Sequence, residues 1–122
     1  MVRLMVAAVV VYIVFQACTY QPYIQIGCTG SMEPALSCGD RYAVEDVGPE
    51  SVPLAVGQIV VFQACFRDRS PGMTQFVHRI IDVRTVDGET EYRMKGDANK
   101  LPDSCWVKHE RVYQVLLHKL GS

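Results

Sequence analysis

The sequence predicts a mainly β domain behind one apolar N-terminal helix. Two observations point to the β domain: its apolar residues fall in short, β-branched runs broken by Gly, Pro and Asp, and Asp87-Gly88 stands between two such runs. A third predicts the helix: from Met1 to Phe15 the only charge is Arg3. The 122 residues suffice for one folded domain. With 49% hydrophobic and 20% charged residues, the chain can form a core and is not disordered by composition. The formal net charge is -1 and no run of like charges occurs, so nothing in the balance points to nucleic acid.

The first element is the block from Leu4 to Cys18. A membrane-spanning helix needs about 20 apolar residues, with a lower limit near 17. The block approaches that length when Tyr20 and Tyr23 sit at the interface, where tyrosine is favoured. An h-region of about 7–15 residues would suit a cleaved signal peptide. However, Phe15 is bulky for the site three residues before a cut after Ala17. A buried helix or strand is the third reading. We expect a transmembrane anchor over 1–19 and an exoplasmic domain over 20–122. Arg3 favours a cytoplasmic N-terminus, which puts the domain on the extracytoplasmic or lumenal side, where disulfides persist. The cysteines are Cys18, Cys28, Cys38, Cys65 and Cys105. Without a CxxC pair a zinc site is not expected, and no cofactor is implied. Cys28–Cys38 and Cys65–Cys105 are open pairings, and so are free thiols.

Strands are expected at 41–45, 58–62, 75–86 and 91–95, and again from Arg111 to Leu117, where a helix competes. Gly48 to Pro53, Arg67 to Gly72 and Gly96 to Ser104 read as loops. A two-residue turn at Asp87-Gly88 pairs Val86 with Glu89 and, down an unbroken ladder, His78 with Asp97. Asp103 lies six residues further on and can fold back to the same place.

The segment Gly30-Ser31-Met32-Glu33-Pro34 has the features a nucleophilic serine requires. Gly30 permits close approach, Pro34 stiffens the exit, and Thr29 offers a second donor to an oxyanion beside the Ser31 amide. A serine hydroxyl needs a base within hydrogen-bond reach. His78, inside a strand, is the best placed of the three histidines; Lys95 is a competitor, and His109 and His118 read as solvated. An aspartate on the other ring nitrogen would set the tautomer, and Asp97 and Asp103 are both available. Met32 reads as an apolar pocket or membrane-facing residue, and Trp106 as either interfacial or half-buried.

Four segments in order carry a resemblance: Gly30-Ser-Met-Glu-Pro34, Gly57-Gln-Ile-Val-Val-Phe62, Val77-His-Arg-Ile80 and Lys95-Gly-Asp-Ala-Asn99. They resemble the successive boxes of type I signal peptidases, peptidase family S26. A histidine at position 78 is similar to the endoplasmic reticulum and archaeal branch, where bacterial enzymes use lysine. The resemblance implies a coiled β-sheet catalytic domain behind one membrane helix. It also implies a serine endopeptidase that cuts secretory signal peptides after small residues. Box by box, Ser31 takes the nucleophile's place and His78 the base's. Asp103 takes that of the triad aspartate, and Asp97 that of the Gly-Asp pair. Gln58 and Ala98 depart from the usual aspartate and asparagine. Implied partners are preprotein signal peptides, membrane lipid and, in some branches, further subunits, with no nucleic acid. Ile26 and strand residues near Val61 are candidates for shallow substrate pockets. A self-cleaving repressor-type peptidase shares the Ser31-to-Asp40 pattern but uses a lysine base and carries a DNA-binding domain. A membrane-tethered, non-catalytic β-domain subunit is the non-enzymatic alternative.

Overall fold

The computed structural model describes residues 21–64 and 75–121. The expected anchor over 1–19 and the expected Arg67–Gly72 loop lie outside them. Among the described residues no helix is long and apolar enough to cross a membrane. They form a mainly β structure of seven strands: β1 (Tyr23–Gln25), β2 (Arg41–Asp46), β3 (Ile59–Gln63), β4 (Gln75–Val86), β5 (Glu89–Lys95), β6 (Trp106–Lys108) and β7 (Val112–Leu120). A single turn of 3-10 helix, His109–Arg111, precedes β7. All neighbours are antiparallel, in the order β1-β2-β7-β3-β4-β5-β6.

The β4–β5 hairpin turns as its sequence predicts. Asp87 and Gly88 both have positive φ, 51° and 79°, which matches the right-handed twist of the flanking strands. Val86 pairs with Glu89, and the ladder holds down to Asp82 opposite Arg93. There it breaks: Ile80 pairs with Met94, so Ile81 is an extra residue on β4. The expected pairing of His78 with Asp97 is therefore displaced. One step past the last pair, Arg79–Lys95, the residue opposite His78 is Gly96.

Alternation along β3, β4 and β7 makes both faces of the sheet apolar. Val60, Phe62, Ile80, Tyr92, Met94 and Val112 belong to the main core on one face. Their neighbours Ile59, Val77 and Leu116 face the other way and cover a smaller cluster of Ile26, Met32 and Leu36. That cluster is the hydrophobic footing of the segment that contains Ser31. Phe62, 1% exposed, packs its ring 5.8 Å from the imidazole of His78. Phe62→Ala should cost about 3–5 kcal/mol. It should lower the urea midpoint with an unchanged slope. A loss below about 1 kcal/mol would show that the cluster is not close-packed.

Candidate active site

Ser31 sits on a turn between β1 and β2. Two backbone bonds close its base, Ile26 N–H to Asp40 O at 2.7 Å and Gly39 N–H to Ile26 O at 2.9 Å. Above them Cys28 and Cys38 form a disulfide, with Cα atoms 4.5 Å apart. This settles one of the open cysteine pairings. Cys105 is also disulfide-bonded. Met32 and Leu36, each 3% exposed, anchor the turn to the sheet. Gly30 has a φ of 77°, a conformation that a residue with a Cβ rarely adopts. It leads directly into Ser31, which is half-buried.

The serine hydroxyl lies 3.2 Å from Thr29 Oγ1, and the Ser31 N–H donates weakly to the same oxygen at 3.5 Å. Among the described residues, no hydrogen bond joins Ser31 to His78. The two are brought near one another through Gly96. A Cβ built on Gly96 would lie 2.7 Å from the carbonyl oxygen of Ser31, and Gly96 is the residue next to His78 across the ribbon. Beyond it, Ala98 N–H donates to Ser31 O at 2.9 Å, and Asp97 N–H approaches Met32 Sδ at 3.4 Å. The loop after β5 is therefore a cradle for the Ser31 turn. Gly96→Ala should push the turn off this cradle. We expect at least a tenfold loss of any Ser31-dependent activity, because a misplacement of about 1 Å can cost on the order of 100-fold. Unfolding by denaturant separates that loss from global destabilisation. Wild-type activity in a folded Gly96→Ala protein would refute the cradle.

His78 is 4% exposed and Asp103 8%. Their side chains meet at 2.7 Å, Nδ1 to Oδ2. Where the carboxylate is ionised it can only accept, so Nδ1 is then the donor, and in a neutral imidazole Nε2 keeps its lone pair. Nε2 takes no hydrogen bond from a described residue. Asp103 is held in turn by its own N–H, which donates to Met94 O at 2.8 Å as the chain returns towards β6. Asp97 does not contact the imidazole. It accepts two hydrogen bonds from Arg79, Nε to Oδ1 at 2.9 Å and Nη2 to Oδ2 at 2.8 Å. Of the two aspartates that the sequence left open, Asp103 is therefore the one on His78. Those bonds hold the Asp97 carboxyl below the ordinary carboxylate range and raise the Arg79 guanidinium above its own.

A cavity of about 220 Å³ opens beside Ser31 and Thr29. Ile26, Met32, Leu36, Phe76 and Val77 give it an apolar wall. Val61, the other expected pocket residue, does not line it. A larger cavity of about 310 Å³ lies between the hairpin turn and the 49–53 loop. Eight strand residues at about 3.3 Å each separate that end of β4 from His78. Its histidine, His109, is not solvated as expected. One ring nitrogen meets Tyr92 Oη at 2.7 Å and the other donates to Gly48 O at 3.1 Å, so it offers no free base. Lys95, the competing base, directs its ammonium to Gly96 O at 3.4 Å. Trp106 is half-buried and lies under the guanidinium of Arg84, 4.2 Å from the ring centroid. No family model matches the chain, and no curated protein matches it as a relative.

Proposed function

We propose that the chain is a membrane-anchored serine endopeptidase of the signal peptidase type, with Ser31 as nucleophile and His78 as base. The observation that carries the reading is the buried His78–Asp103 pair beside the cradled Ser31 turn. With Nδ1 held by Asp103, the other imidazole nitrogen takes no hydrogen bond from a described residue, which leaves it available to a serine. The order of the four sequence boxes supports the same residues independently, and a coiled β-sheet domain of that family is the finer fold we propose for the antiparallel sheet.

In the proposed reaction Ser31 Oγ attacks the scissile carbonyl and His78 Nε2 takes its proton. The oxyanion is held by the Ser31 N–H and the Thr29 hydroxyl. The imidazolium then protonates the leaving amine, the acyl-enzyme forms, and His78 activates water to release it. The cavity walled by Ile26 and Phe76 suits small apolar side chains before the cut. The Cys28–Cys38 disulfide supports an extracytoplasmic or lumenal domain, because such bonds persist in oxidising compartments. Residues 1–19 would confine enzyme and secretory preprotein to one lipid surface and raise their effective concentration. Partner subunits of a signal peptidase complex would act on the same substrates.

One observation favours a second reading. The Ser31 hydroxyl is bonded to Thr29 rather than to His78, as suits a tethered β-domain without catalysis. Preprotein cleavage by the full chain in detergent, with Ser31→Ala as control, separates the two. Cleavage that persists in Ser31→Ala, or failure of a serine-reactive probe to label Ser31, would sink the peptidase.

A further inference from the structure

The nucleophile turn and the strand of the base are separate pieces of chain, and something must fix one against the other. Alternation on β4 sends His78 to the core face and Arg79 to the opposite one. Arg79 uses three donors. Nε and Nη2 form a fork on Asp97, and Nη1 reaches Gly57 O at 2.8 Å. Gly57 is itself tied to β4, its N–H donating to Ile80 O at 2.8 Å. Asp97 lies between Gly96, whose lack of a side chain leaves room for the Ser31 carbonyl, and Ala98, whose N–H that carbonyl accepts. The chain of contacts therefore runs from β4 through Arg79 and Asp97 to the backbone of Ser31.

We infer that Arg79 and Asp97 are positioning residues, a clamp that holds the loop after β5 so that the Ser31 turn stays in register with His78. This rests on the peptidase reading for its catalytic consequence, but the clamp itself is a property of the fold. Neither residue hydrogen-bonds the imidazole; Asp97 feels the charge of His78 only as the smallest influence on its carboxyl, so the clamp acts chiefly on geometry.

The charges of the pair fit this role. Asp97 titrates below the ordinary carboxylate range because of its bonds to Arg79. A carboxyl whose folded value is depressed stabilises the fold above its unfolded value and loses that effect only as pH falls through the folded one. The clamp is therefore intact throughout the range between about pH 5 and 8 where histidines titrate.

The test uses the full chain in detergent and three variants, Asp97→Asn, Arg79→Lys and Arg79→Ala. The expected result is a fall in kcat of about 10–100-fold for Asp97→Asn and Arg79→Ala, as for a small displacement of a reacting group. KM should stay within about threefold, because the clamp lies away from the cavity. Arg79→Lys keeps the charge without the fork and should recover only part of the loss. The acid limb of the pH profile should move by no more than about half a unit in Asp97→Asn, since Asp103 still holds Nδ1. Hydrogen exchange at the Ala98 amide gives a readout without catalysis, and it should speed up in all three variants. Should Arg79→Ala fail to fold, the nearly isosteric Asp97→Asn and Arg79→Lys carry the test. Wild-type kcat with a still-protected Ala98 amide would overturn the clamp, and so would a large move of the acid limb in Asp97→Asn. An inactive wild type whose Ala98 protection still depends on Arg79 would refute the peptidase and leave the clamp standing.

Discussion

Ser31→Ala and His78→Ala should each lower the kcat for preprotein cleavage by on the order of 10⁴–10⁶-fold, and the double variant should be no worse than either. The non-additivity is the sharper part of the expectation. A nucleophile and its base act on one proton transfer, so removing either leaves nothing for the other to do. The two variants should differ in stability. Among the described residues Ser31 Oγ is bonded only to Thr29, on a half-buried turn, so its loss is nearly neutral. His78→Ala leaves the Asp103 carboxylate buried without its partner, which costs about 3–5 kcal/mol. Denaturant unfolding of both variants, beside cleavage of a synthetic preprotein, separates the effects. Independent, multiplying losses would place the residues in different roles, and cleavage by either single variant at the wild-type rate would remove them from the chemistry.

The parts of the fold that the sequence made legible are those where local chemistry decides. β4 runs over the expected residues, 75–86, and the Asp87-Gly88 turn forms because both residues accept positive φ. β1 and β6 gave no signal. At three residues each they are too short for an alternation to register, and they exist because a longer neighbour, β2 or β5, offers them an edge. The bulge at Ile81 is also invisible in sequence, and it had the largest consequence. A slip of one residue on a two-residue period moves every following side chain. It takes Asp97 away from the imidazole's partner position and gives it to Arg79.

The site divides in the same way. Ser31, Thr29 and His78 were legible as residue types in a pattern, but their mutual placement was not. Arg79 was missed altogether. An arginine in a strand reads as a solvated charge, and only the folded loop brings Asp97 and Gly57 O to its fork. One departure from the signal peptidase pattern finds a use in the fold. Gln58 Oε1 accepts the Ala55 N–H at 2.7 Å and so closes the turn before β3. At Ala98 the backbone N–H makes the contact with Ser31, and the exposed methyl takes no part. His109 failed for the opposite reason. Charged sequence neighbours suggested a solvent face, while the long-range contacts to Tyr92 and Gly48 put it in a half-buried network.

Asp103→Asn should reduce kcat by on the order of 10⁴-fold, the scale seen when the aspartate of a serine protease triad is replaced in this way. The size follows from one proton. In the wild type an ionised carboxylate 2.7 Å from Nδ1 can only accept, so a neutral imidazole keeps its hydrogen on Nδ1 and presents Nε2 as a base. An asparagine at the same place can turn its amide N–H towards Nδ1. The imidazole then carries its hydrogen on Nε2, which becomes a donor and can no longer take the serine's proton. Nitrogen-15 spectra of the imidazole should show this directly, with the proton on Nδ1 in the wild type and on Nε2 in the variant. Volume is nearly unchanged, so the fold should survive, and the Asp103 N–H bond to Met94 O does not involve the side chain. The comparison with Asp97→Asn is decisive because both changes remove one charge from the same loop. If Asp97 only positions, its variant loses rate without moving the imidazole proton. A tautomer change in Asp97→Asn, or an Asp103→Asn protein that keeps more than about a tenth of wild-type activity, would exchange the roles assigned to the two aspartates.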